Sequence, residues 1–237
     1  MRPLYVAWKG KFNMSKKRVL TKKERINEMT ILGLFIAIIA VMGLVPLLGF
    51  IPIFGLSLTI VHIPVLIGAV LLGRKDGLIL GLAFGVVSLI RGATSVGFDF
   101  IFIFPWVSIL PRIIFGFIIY DVYRFFSKLI KIRIVALIVS FIVLSLIHSA
   151  LVLPMLVTTF PLILGSASWS ETVGAVEGVL GFMQDTSTFG TAMKWIWAVL
   201  ITNSVAEALL AGIIGGTVAD RLIEYLKVNN TSLKVEA

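Results

Sequence analysis

Residues 57–116 read SLTIVHIPVLIGAVLLGRKDGLILGLAFGVVSLIRGATSVGFDFIFIFPWVSILPRIIFG, and this stretch decides the fold class. Two apolar runs meet at a tight basic corner, Arg74-Lys75-Asp76. A polar stretch then leads into a third apolar run with an arginine, Arg112, inside it. Charge gathered at the turn of an apolar hairpin, with one ionisable group at membrane depth, predicts a polytopic membrane protein that handles a polar solute. The remaining segments read as the wall and the dock around this unit.

Composition supports that class. Of 237 residues, 59% are hydrophobic, whereas soluble domains hold near half or less. The mean hydropathy is +1.07. A net charge of +9 invites a nucleic-acid reading, but the charges lie in the wrong places for one. Nine of the 21 basic residues precede Met29, and most others border apolar runs. Such a distribution reports orientation and contact with anionic lipid headgroups, not nucleic acid. With no cysteine there is no disulfide framework and no thiolate metal site, and neither a metal nor a cofactor is expected. The first apolar run is long enough to span and is followed by no small-residue cleavage site, so it does not read as a secretory signal. Met14-Ser-Lys-Lys offers an alternative start.

The expected fold is an all-α membrane protein, a bundle of six transmembrane helices with both termini cytoplasmic. Residues 1–28 form a basic cytoplasmic arm, 29–226 the membrane domain and 227–237 a cytoplasmic tail. The spans are placed at about 29–48, 58–72, 77–90, 104–126, 132–156 and 195–225, since about 20 apolar residues at 1.5 Å rise cross a ~30 Å core. Residues 51–56 read as an apolar Pro/Gly loop tucked into the protein. The third span is short, which implies tilt or shielding by neighbours. An outer loop, 158–194, is long enough to act as a lid over an outward-facing pocket. The arm, the 74–75 corner, the 124–133 loop and the tail hold 18 of the 21 basic residues, and six spans put all four on one face, which is cytoplasmic.

Small residues mark where helices touch. Gly77, Gly81 and Gly85 recur every four residues on span three and read as internal packing. Span six carries two adjacent stripes, Ala208/Gly212/Gly216 and Ala211/Gly215/Ala219, for which internal packing and a partner membrane protein stay equally open.

The polar residues inside the spans are His62, Arg112, His148, Asn203 and Glu207. Such groups face a bundle interior or a wet cavity. The bland alternative is that Arg112 and Glu207 pair and merely pin two helices. His148 reads as a core hydrogen-bonder before a ligand contact. Trp106, Trp195 and Trp197 read first as an interfacial belt and second as pocket walls. Arg91 and Lys194 stand at the rim. There is no G-x-x-x-x-G-K-[ST], so the chain cannot burn ATP alone, and no H-E-x-x-H or G-x-S-x-G that would mark a hydrolase. No inverted repeat of the kind found in self-sufficient secondary transporters is evident.

The runs LTIVHIPVLIGAVLLGRKDGLILGLAFGVVSLIRG, FPWVSILPRIIFG and TNSVAEALLAGII resemble the substrate-binding S component of energy-coupling factor (ECF) vitamin transporters. The resemblance covers roughly residues 30–226, and the S-x-L-P-R element, Ser108 to Arg112, is its most specific part. Within that family the chain looks most like the pantothenate carriers. The resemblance implies a binding subunit that is not an enzyme, set in the bacterial plasma membrane. It also implies a partner module made of the membrane scaffold protein EcfT and two cytoplasmic ATPase subunits, which accounts for the missing P-loop. In family terms Gly33 and Ala37 dock on the scaffold; glycine stands here where alanine is usual, and it is still small. The whole subunit is then expected to topple in the membrane and release the vitamin inward.

Residue chemistry narrows the solute. An arginine at membrane depth wants an anion, and a planar guanidinium suits a carboxylate. Asn203 and Glu207, four apart, share a helix face that suits hydroxyls and an amide. Pantothenate has all three groups. The expected site is therefore Arg112, Asn203, Glu207, His62, Trp106 and Arg91. Other vitamins (hydroxymethylpyrimidine or pyridoxine, riboflavin, folate), a stand-alone secondary transporter and a ligand-free scaffold remain as competing readings.

Overall fold

The computed structural model describes residues 21–45, 47–53, 56–94, 97–163 and 201–228. The basic arm up to residue 20, Lys194, Trp195, Trp197, residues 229–237 of the tail and most of the expected outer loop lie outside the described residues.

Helix α1 is Lys22–Leu44. It begins within the expected arm because Thr21 and Glu24 form a capping box, each side chain bonded to the other's backbone N–H. Strands β1 (Phe50–Ile53) and β2 (Leu56–Thr59) follow, paired antiparallel with Phe50 opposite Thr59 and Ile53 opposite Leu56. Helix α2 (His62–Leu72) ends at Gly73, whose φ of 88° lets α3 (Arg74–Thr94) start at the next residue. A 3₁₀ segment, Gly97–Ile103, leads to the short helix α4 (Pro105–Ser108) and then α5 (Leu110–Leu129). Helix α6 is Arg133–Ile163, and α7 is Ile201–Val228 with a π-helical turn at Ala211–Gly215.

Among the described residues, five helices are long and apolar enough to cross a membrane: α1, α3, α4 with α5, α6 and α7. Their outward faces carry exposed Leu34, Leu82, Phe117, Leu146 and Ile213, apolar surface that lipid can cover.

Several expectations change. The fold is not purely helical: the expected loop at 51–56 and the start of the second span are the β-hairpin. What remains of that span, α2, has eleven residues, all buried, and reaches only about 16 Å at 1.5 Å per residue. It is a core post shielded by its neighbours. The third span is not short, because α3 runs 21 residues from the basic corner. Helix α6 continues past 156 to Ile163, into the expected outer loop. Both small stripes of α7 are used internally: Gly212 and Gly216 meet Ile142 and Ile138 of α6, while Gly215 meets Phe141 and Ile63.

Helices α3 and α5 make the closest approach. A side chain on Gly77 would strike the Gly116 carbonyl, one on Gly81 the Arg112 carbonyl, and one on Gly85 the backbone of Ile109. The partners descend as the glycines ascend, so the helices are antiparallel and touch backbone to backbone. Gly116 supplies the reciprocal gap, which the spacing of span three alone does not announce. This contact sets the depth of Arg112.

The two ends of the bundle differ. Arg74 pairs with Asp121 and Arg133 with Asp220, each at 2.5 Å, at the end holding Lys75, Arg124, Lys128 and Lys131. The hairpin, the 3₁₀ segment and the amino end of α5 occupy the opposite end.

Gly81→Val and Gly116→Val should each destabilise the purified protein by about 1–3 kcal/mol or more, since backbone carbonyls cannot step aside as side chains do. Gly33→Val should not, because nothing lies within 4 Å of a Cβ built there. Thermal unfolding in one detergent checks the contrast; equal losses at all three positions refute it.

Candidate functional site

The site starts from strand alternation. In Leu56-Ser57-Leu58-Thr59, period two puts Ser57 and Thr59 on one face, and both line a cavity while Leu58 is buried. The amides of Ser57 and Thr59 also share a direction, away from β1, so β2 has an unpaired edge inside the protein. Two carboxylates cap it. Thr59 N–H donates to Glu207 Oε1 at 2.5 Å, and Ser57 N–H donates to Asp99 Oδ1 at 3.4 Å. Ser57 Oγ–H also donates to Asp99 Oδ2. Neither acid is spare: each satisfies a backbone group that would otherwise be buried unpaired.

The cavity beside the hairpin holds about 460 Å³ of empty space, counted to its open mouth. Phe102 and Arg112 line one side, His148, Ser149, Val152 and Leu156 of α6 another, and Asn203, Ser204 and Glu207 of α7 a third.

Arg112 is 2% exposed. Its Nη1–H donates to the Val107 carbonyl, and its guanidinium carbon lies 4.9 Å from the Phe102 ring centre and 5.4 Å from that of Phe84. Both rings favour a cation but do not neutralise it. Arg112 and Glu207 are near enough for their charges to interact, yet they are not an ion pair. Among the described residues, ion pairs join Arg74 to Asp121, Arg133 to Asp220 and Arg221 to Glu224, and none joins Arg112 to Glu207. The bland reading of two pinned helices therefore does not hold here. Glu207 is committed to the hairpin, and Arg112 Nε has no hydrogen-bond partner among the described residues.

Three expected site residues, Arg112, Asn203 and Glu207, meet in this cavity, and three do not line it. His62 sits one ring behind, its Nε2 3.3 Å from Ser145 Oγ and its ring stacked on His148 at 5.8 Å. Trp106 is 43% exposed, and its indole N–H donates to Thr159 Oγ1 at 2.9 Å. Arg91 lies over the Phe50 ring at 4.8 Å and feels the Asp99 charge, so it steadies the hairpin. Ser57, Thr59 and His148 are cavity residues that sequence reasoning missed or discounted. The alternation in L-S-L-T was the available signal for the first two. No group of three or more His, Cys, Asp or Glu placed to hold a metal exists among the described residues.

A bundle with apolar outer faces, and a polar cavity roofed by a hairpin at one end, defines a membrane subunit that binds a small solute. The chain belongs to the family of ECF transporter substrate-specific components, whose model matches residues 27–218. It is thus a multi-pass cell-membrane protein, a vitamin-specific transport component and not an enzyme. It is 27% identical over 216 residues to the pantothenic acid transporter PanT of Lactococcus lactis subsp. cremoris, covering 81% of this chain and 92% of that one. Over 97 residues it is 35% identical to the pantothenate transporter PanT of Leuconostoc mesenteroides, covering 38% of this chain and 48% of that one.

Asp99 yields a test of the hairpin's anchoring. Burial pushes its carboxyl above the usual range, against the pull of the Ser57 bonds and the Arg91 charge. A carboxyl raised on folding favours the folded state at low pH, and that contribution is lost as pH rises through the folded value. Wild type should therefore lose stability relative to Asp99→Asn as pH rises through that value. Asp99→Ala, which orphans the Ser57 donors, should lie about 1–3 kcal/mol below Asp99→Asn at any pH. Melting curves of the three proteins between pH 4 and 9 measure this; a pH-independent gap between wild type and Asp99→Asn contradicts it.

Proposed function

We propose that this protein captures pantothenate outside the cell and delivers it to an ATP-driven partner module. One observation carries the ligand reading: Arg112 and Glu207 line the same cavity without pairing. The cavity thereby offers an uncommitted cation to a carboxylate and keeps acceptors for hydroxyls. Asn203 adds an amide that can both give and accept hydrogen bonds. Pantothenate carries one carboxylate, one amide and two hydroxyls, and both relatives are named for it.

The topology that serves this role has six membrane helices, counting the short α2, with both termini cytoplasmic. The hairpin and cavity then face outward, away from the basic end. The partners are a transmembrane scaffold and two cytoplasmic ATPases. Helix α1 suits docking on the scaffold, since it buries Phe35, Ile39 and Gly43 and turns Gly33 and Ala37 outward.

Purified protein should bind pantothenate more tightly than riboflavin, folate, pyridoxine or hydroxymethylpyrimidine. Arg112→Ala should weaken pantothenate binding by roughly 10–100-fold, the size of a charge-assisted contact. Asn203→Ala should cost about tenfold. Isothermal titration decides: tight binding of a neutral vitamin with none of pantothenate ends the ligand assignment, and unchanged affinity in both variants ends the site.

Gly33→Leu and Ala37→Leu should leave pantothenate binding intact and abolish uptake in cells, because a bulky side chain separates backbones that must approach closely. Uptake of labelled pantothenate alongside binding by the same variants separates docking from folding. Uptake that persists without any ATPase module would instead support a stand-alone transporter.

A further inference from the structure

His148 is 4% exposed and lines the cavity, yet neither of its ring nitrogens has a hydrogen-bond partner among the described residues. The ring is held without them. It stacks on His62 at 5.8 Å with planes 10° apart, and it lies 5.6 Å from the Phe84 ring and 5.0 Å from the Phe115 ring. Aromatic packing thus fixes the imidazole's plane and leaves its polar edge unspent. His62, the ring behind, differs in this respect, since Ser145 lies within hydrogen-bond reach of its Nε2. A buried imidazole with two idle nitrogens loses its hydration for nothing in return unless something in the cavity answers it.

What answers it follows from its donor and acceptor set. A neutral imidazole gives one hydrogen bond and takes one. A carboxylate can only accept, and Arg112 in the same cavity is the better partner for it. Hydroxyls both give and accept. Resting on the pantothenate reading, we propose that His148 is the residue that reads the ligand's diol: one ring nitrogen bonds one hydroxyl, donating to its oxygen or accepting its O–H according to the tautomer. The acid end is left to Arg112, and the amide and remaining O–H donors to Asn203 and Glu207. His148 then sets specificity, because a ligand without hydroxyls would leave its nitrogens buried and unpaired.

The test is a cycle between protein and ligand. His148→Phe keeps a flat ring in the aromatic cage and removes both nitrogens; His148→Gln keeps one donor and one acceptor. Each is titrated with pantothenate and with N-(3,3-dimethylbutanoyl)-β-alanine, which retains the carboxylate, amide and methyl groups but lacks both hydroxyls. Wild type should prefer pantothenate by about tenfold or more, reflecting the lost hydrogen bond. His148→Phe should weaken pantothenate by about 10–100-fold, leave the deoxy compound unchanged or tighter, and so collapse the preference. His148→Gln should recover part of it. If wild type binds no pantothenate, the functional reading and this inference fall together. If wild type binds it while His148→Phe keeps the full preference, or loses both ligands equally, His148 is a packing or hydrated residue and the inference alone is overturned.

Discussion

A buried strand edge is the constraint from which the site follows. Inside a membrane protein an amide that finds no acceptor costs several kcal/mol, and among the described residues the outward amides of Ser57 and Thr59 have no third strand to meet them. Glu207 and Asp99 are the acceptors. Once Glu207 serves the hairpin, it forms no ion pair with Arg112, and among the described residues the guanidinium meets two aromatic faces and the Val107 carbonyl. Backbone satisfaction thereby leaves the Arg112 guanidinium without a carboxylate in contact among the described residues.

The antiparallel contact of α3 and α5 supplies the second half of that logic. Glycines on both helices let the backbones touch, which places Arg112 level with Gly81 and brings Phe84 across from the guanidinium. Phe84 also meets His148 from α6, so one phenyl ring positions two polar groups of the cavity. The cavity is therefore not a gap left by loose packing. Its cation and its imidazole are held by rings, and its acid by the hairpin.

Much of this was legible in the amino-acid order. Apolar runs bounded by basic residues located the spans, because hydrocarbon excludes charge along any stretch that crosses it. Glycine at every fourth residue marked α3 as a close-packing face, and polar groups within apolar runs singled out Arg112, Asn203 and Glu207. The hairpin was hidden, because F-I-P-I and L-S-L-T are apolar segments too short for periodicity to separate strand from loop or helix end. His148 was discounted for a related reason: a lone histidine in an apolar run looks the same whether its nitrogens are spent or idle.

What the chain determined by itself is therefore whatever depends on one residue meeting one environment: which segments enter lipid, which positions admit a neighbouring backbone, and which side chains are too polar to face hydrocarbon. Only the tertiary structure decided the pairings. Arg112 and Glu207 are opposite charges that look like partners in the sequence, but Glu207 lies at the open edge of β2 and its carboxylate goes to an amide from 148 residues away. Which donor an acceptor meets depends on distances across helices, and those arise only when the glycine contacts and the hairpin have closed.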